Sequence, residues 1–154
     1  MAEYHFNKVL PYSLEVLFNI IKDVDHYNEF LPGIEASETY DHEDAHFTGK
    51  LTIAYKALKQ TYQSRVIFKK EAHSAYVRST AIDGPFHHLK SYWDLNSIGG
   101  DQQSCEVNLT LNFDFKNILI KKLLTPYLDK GAHSMIDAFE QRAFELTQRN
   151  TICL

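Results

Sequence analysis

The chain has 154 residues, 44% hydrophobic and 13% aromatic with 23% charged, which excludes a disordered or collagen-like chain and suits one domain, residues 1–154, with a substantial core. No apolar run approaches a bilayer span, and the start Met1-Ala2-Glu3-Tyr4-His5-Phe6 has neither the apolar stretch of a signal peptide nor the arginines of a transit peptide, so the expectation is an intracellular protein. The net charge of −4 is uneven, with 2 basic and 10 acidic side chains in residues 1–48, 8 and 2 in residues 49–93, and 6 and 8 in residues 94–154.

Tyr4, Phe6 and Leu10 begin a first strand that Pro11 ends. Ser13 is placed as an N-cap, its hydroxyl accepting from the free amides of a helix start. Val16, Leu17, Ile20, Ile21 and Val24 then repeat at the period of a short amphipathic helix. Tyr27, Phe30 and Leu31 crowd against the breaker Pro32-Gly33, which predicts a second short helix or turn. Strands follow at 34–41, 46–56, 59–70, 73–80, 87–97 and 103–115, joined by turns such as His42-Glu43-Asp44-Ala45 and Asp83-Gly84-Pro85. Connections this short require antiparallel neighbours. In the last strand Cys105, Val107, Leu109, Leu111 and Phe113 face one way and polar residues the other, so one side of the sheet is covered. The cover is a long C-terminal helix with the stripe Leu128, Ala132, Met135, Ile136, Phe139, Ala143 and Leu146, capped by Asn117 and kinked or restarted at Pro126. The plan is α+β, a curved antiparallel sheet wrapped around that helix.

No catalytic residue is assigned. His42 and His46 have a helical metal-ligand spacing but lie in a hairpin turn, where a solvated turn is the better reading. His87 and His88 are adjacent on a strand and point to opposite faces, His133 is a boundary residue of the helix, and no phosphate loop, nucleophile elbow or zinc motif occurs. Cys105 and Cys153 form no metal or redox spacing. No cofactor, metal or DNA partner is expected. The basic central strands are the solvated face of a sheet or a surface for anionic groups.

An apolar guest suits the inward set better. Leu51, Ile53 and Tyr55 share a face of one strand, Tyr62, Ser64, Val66 and Phe68 of the next, and Leu89, Ser91, Trp93 and Leu95 of another. The candidate ligand-binding residues are Leu51, Ile53, Tyr55, Tyr62, Val66, Phe68, Leu89, Trp93, Leu109, Leu111, Phe113, Met135 and Phe139. The pattern leaves open whether these faces enclose a tunnel or close into a filled core. Ile118, Leu119, Ile120, Lys121, Lys122, Leu123 and Leu124 have too many apolar residues for one helix stripe; they form either a peripheral membrane contact or a covered helix start.

Several segments together resemble the coenzyme Q-binding branch of the START-like, polyketide cyclase superfamily, which also includes the ribosome-association toxin RatA. They are Pro11-Tyr12-Ser13, Asp23-Val24-Asp25-His26-Tyr27-Asn28-Glu29-Phe30-Leu31-Pro32, Tyr55-Lys56-Ala57-Leu58, Ser64-Arg65, Asp83-Gly84-Pro85-Phe86-His87-His88-Leu89, Trp93, Phe113-Asp114-Phe115 and Met135-Ile136-Asp137-Ala138-Phe139-Glu140-Gln141-Arg142-Ala143. The resemblance implies a helix-grip fold and a tunnel for ubiquinone or a related polyprenyl quinone, carried as a bound ligand by a lipid chaperone that supports quinone biosynthesis and respiratory electron transport. Within the same family the alternative is a RatA-like toxin that binds the large ribosomal subunit and blocks subunit association; a small aromatase/cyclase-type enzyme is a third. The implied location is the bacterial cytoplasm, peripheral to the inner membrane, since mitochondrial members carry an N-terminal extension.

Overall fold

Alternating apolar and polar residues build seven strands, and segments with a helical period build two helices, in the computed structural model, which describes residues 2–100 and 103–152. In chain order these are β1 (Ala2–Leu10), α1 (Leu14–Lys22), a 3-10 turn (Val24–Glu29), β2 (Ile34–Tyr40), β3 (His46–Tyr55), β4 (Leu58–Lys70), β5 (Ser74–Ala81), β6 (Phe86–Ile98), β7 (Ser104–Phe115) and α2 (Ile118–Ile152). The strands form one antiparallel sheet in the order β1-β7-β6-β5-β4-β3-β2. Strands β2 to β7 are a meander, each paired with its sequence neighbour, as short turns demand. The exception is β1, which pairs along β7 from Ala2↔Phe113 to Leu10↔Cys105. The segment carrying α1 therefore crosses from one sheet edge to the other.

Ser13 caps α1 as expected, its Oγ accepting from the Val16 amide at 3.2 Å. Asn117 does the same for α2, accepting from the amides of Leu119 at 2.7 Å and Ile120 at 3.4 Å. Pro126 does not begin a second piece: α2 runs as one helix through it. Lys122, whose carbonyl loses its helical donor, is exposed to water, which lowers the cost of the missing amide.

Leu109 and Phe139 are buried in one cluster with Leu17, Ile21, Trp93 and Leu95 beneath α1 and the second half of α2. Phe86, Leu89, Leu111, Phe113 and Phe115 form a second cluster with Leu124 and Leu128 of α2. Phe139 is only 2% exposed, in line with the stripe. Ala132 of that stripe and Cys153 lie outside the described side chains. Burial pushes the Cys105 thiol up to about 11, so it stays an inert core thiol.

A bulge corrects the reading of the paired histidines. The register shifts between Phe86 and His88, so Phe86 and Leu89, three apart, are both buried while His87 is exposed. His88 is bonded to Asn112 at 2.6 Å and shares the outer side. Among the described residues no helix is long and apolar enough to cross a membrane.

Candidate functional site

Sheet and helix do not close completely. Between the two clusters lies a cavity of about 110 Å³. It gathers Leu51, Ile53, Tyr62, Val66, Leu89, Trp93, Leu111, Met135 and Phe139 of the expected set. Four expected residues lie elsewhere. Phe68 sits under α1, its ring 6.3 Å from Phe18 and 5.9 Å from Phe47, because it lies beyond the hollow toward the end of β4. Tyr55 ends β3 and meets the Tyr127 ring at 5.4 Å without reaching the cavity. Leu109 is 1% exposed in the closed first cluster. Phe113 is wedged between Tyr4 and Phe115 at 5.8 and 5.6 Å.

Among the residues that sequence reasoning passed over are the small ones that create the hollow. Gly49, Ser64, Ser79 and Ser91 also line it. They cross the sheet as neighbours, Gly49 opposite Ser64 and Ser79 opposite Ser91. Large side chains fill space, so a void beneath a helix needs small ones at the same level. Ser64 and Ser91 stood on faces read as inward, and small residues within an apolar face were the available signal. Val24, Tyr27, Leu31, Ile34 and Val77 add further wall, as do Phe86, Tyr127 and Leu128. A smaller cavity of about 30 Å³ shares Leu31, Ile34, Leu111, Tyr127, Leu128 and Met135 with the first and adds Pro32, extending the hollow toward the loop before β2.

Three tyrosines supply most of the remaining polarity. Tyr27 donates to the Ile21 carbonyl and Tyr127 to the Pro32 carbonyl, the latter at 2.8 Å. The Tyr62 hydroxyl has no hydrogen-bond partner among the described residues, and neither have those of Ser64, Ser79 and Ser91. Burial raises the pKa of all three phenols, that of Tyr127 to about 12. At neutral pH they are protonated, hence donors. No Asp, Glu, His, Lys or Arg is among the described residues that line the cavity.

Two glycines hold two of these tyrosines. Gly84 has φ +92°, and a Cβ there would lie 2.5 Å from Cβ of Tyr62. Next to it, Asp83 accepts from the Gln63 amide at 2.6 Å and from Gln63 Nε2 at 2.7 Å, while Phe86 meets the Tyr62 ring edge to face at 5.3 Å. The segment Asp83-Gly84-Pro85-Phe86 thus clamps Tyr62. Gly33, at φ +78°, does the equivalent for Tyr127: an added Cβ would lie 2.4 Å from its Cε1. Both glycines combine a left-handed backbone with a close approach.

The polar residues elsewhere make no comparable site. Thr39 Oγ1 donates to Asp25 at 2.8 Å and lies 2.9 Å from His42 Nε2, whose ring rests on Phe47. Among the described residues no group of three or more His, Cys, Asp or Glu is arranged to hold a metal ion. His133 packs edge-on against Phe6 at 4.9 Å. Along the segment offered as a membrane contact, Leu124 is buried at 1% and Ile120 is half-buried; these two belong to the core because they follow the inward stripe of α2.

Comparison with known proteins places this geometry. The chain is 33% identical over 138 residues to the ribosome association toxin RatA of Pseudomonas aeruginosa, covering 90% of this chain and 92% of that protein. It is 26% identical to the mitochondrial coenzyme Q-binding protein COQ10 homolog B of Xenopus laevis, over 99% of this chain and 62% of that one. The solution structure of an 18 kDa protein from Caulobacter crescentus superposes with a TM-score of 0.73 at 30% identity, covering 96% of this chain and 99% of that one. The fold is the START-like helix grip. With residues 10–140 matching its sequence profile, the chain belongs to the polyketide cyclase/dehydrase and lipid transport family.

Proposed function

We propose that the chain binds a polyprenyl quinone, with the ring in the cavity and the tail leaving past Pro32 and Tyr127, and carries it in support of quinone biosynthesis and respiratory electron transport. The observation that supports this most is Tyr62 in the wall of an apolar hollow, its hydroxyl protonated and without a hydrogen-bond partner among the described residues. A quinone ring brings what such a site lacks, an acceptor carbonyl on a flat apolar body. The hollow of about 110 Å³ is near the roughly 150 Å³ at which an apolar cavity takes up benzene. A substituted ring therefore needs a small outward shift, which the flexible Met135 at the wall allows. Each methylene of tail taken from water adds about 0.8 kcal/mol.

The rivals are weaker on the same residues. A wall without carboxylate or imidazole has no acid–base pair for cyclase chemistry. Ribosome association is favoured by the relative named RatA. It is opposed by ion pairing: Lys50, Lys59 and Lys70 of the basic central strands meet Glu38, Glu35 and Glu15 at 3.7, 2.7 and 4.0 Å, which leaves less positive field for RNA phosphates.

Mass spectrometry of an organic extract of the purified protein should find a polyprenyl quinone. Titration with a short-tailed ubiquinone should show Tyr62→Phe binding about 3- to 10-fold more weakly, the worth of one hydrogen bond. An extract without quinone, together with cosedimentation on large ribosomal subunits, would reverse the reading in favour of ribosome association.

A further inference from the structure

We infer that the first two turns of α2 dock this protein on an anionic lipid bilayer. Ile118, Leu119 and Leu123 are 71%, 65% and 49% exposed, although Leu124 between the same turns is buried. Leu119 and Leu123 are one helical turn apart and so share a face. Around them Lys116, Lys121 and Lys122 are exposed, and none meets a carboxylate among the described residues. Lys8, Lys50, Lys59, Lys69 and Lys70 have carboxylate partners within 4.0 Å, while Lys22, Lys56, Lys90 and Lys130 have none among the described residues. What sets this segment apart is that three such lysines stand beside branched apolar side chains left in water.

That combination selects the occupant. One exposed aliphatic side chain is ordinary, but three beside three unpaired lysines form a surface with two demands. A protein core would have to desolvate the ammonium groups, and a nucleic acid would leave the aliphatic groups wet. An anionic bilayer meets both, with aliphatic side chains at the acyl boundary and ammonium groups among the headgroups. The same end carries Ile82, 60% exposed, on a turn tied to the helix start by the Lys116 amide donating to the Pro85 carbonyl at 3.0 Å. Tyr127 and Leu128 of the cavity wall lie one turn further along α2, so docking brings the wall of the hollow to the lipid surface. The net charge of −4 opposes approach to an anionic membrane, which makes the binding weak and salt-dependent. None of this depends on which ligand the cavity takes.

Flotation of the full chain with phosphatidylcholine vesicles, with and without phosphatidylglycerol, tests the surface. The wild type should float with the anionic vesicles only, and less as salt is raised. Each lysine charge near such a surface changes partition about fivefold, so Lys121→Glu with Lys122→Glu should lower it at least about 20-fold. Leu119→Ser with Leu123→Ser should lower it too, and both variants should melt like the wild type because the positions are exposed. Equal flotation on the two vesicle types, or variants that float like the wild type, overturns the inference. So does a dimer, formed without vesicles, that both variants dissolve, since that assigns the face to a second copy of the chain.

Discussion

Gly33 and Gly84 are small residues with large consequences, because each leaves room for a tyrosine of the cavity wall. At Gly33 the left-handed backbone alone costs an alanine about 1–2 kcal/mol, and the added Cβ would meet the Tyr127 ring at 2.4 Å. Gly33→Ala should therefore lower unfolding free energy in urea by at least about 1–2 kcal/mol. Combined with Tyr127→Ala, the loss should be smaller than the sum of the two single losses, because the clash disappears with the ring. Strict additivity would show that Tyr127 does not confine Gly33.

At the scale of the element, α2 carries two kinds of leucine side by side. Leu124 is 1% exposed against Leu128 and the second cluster, while Leu123 is 49% exposed. Truncating a buried leucine removes apolar contact and leaves a void, so Leu124→Ala should cost about 2–5 kcal/mol. Leu123→Ala should stay within about 0.5 kcal/mol. Urea denaturation of both variants checks the assignment, and comparable losses would mean that this turn of α2 is rotated relative to the core. The contrast also separates the inward half of the segment from the half that faces outward.

Across the whole molecule, charge is balanced through space. The acidic excess of residues 1–48 and the basic excess of residues 49–93 meet where β2 and α1 neighbour the lysines of β3 and β4. Three phenols, Tyr62 buried and Tyr27 and Tyr127 half-buried, link stability to alkaline pH. Burial raises Tyr27 and Tyr62 and pushes Tyr127 up to about 12, whereas an unfolded tyrosine titrates near about 10. Between those values the unfolded chain has lost protons that the folded one still holds, so unfolding gains with pH. Their contribution is complete below about pH 10 and is lost as pH rises toward about 12. Thermal melts should fall across that window, and less steeply in Tyr127→Phe. Unchanged melting across that window would contradict the raised pKa of these phenols.

Most of the fold was legible in the sequence, because it rests on local rules. Period-2 strands, caps at Ser13 and Asn117 and breakers at Pro11 and Gly33 act within a few residues, and short turns force antiparallel pairing. The inward stripe of α2 was legible for the same reason. The site was only half legible. Alternation told which side of the sheet Phe68, Leu109 and Phe113 face, but not whether each reaches a void or packs against a ring from a distant strand or helix. The pairing of β1 with β7, the bulge at Phe86–His88 and the position of α1 over β4 decided that, and all three depend on residues far apart in the chain. The sequence by itself determined a sheet with one apolar face and a helix to cover it. Only the tertiary structure decided where the two fail to meet, because a cavity is a difference in volume summed over many elements, and no single stretch of chain carries that sum.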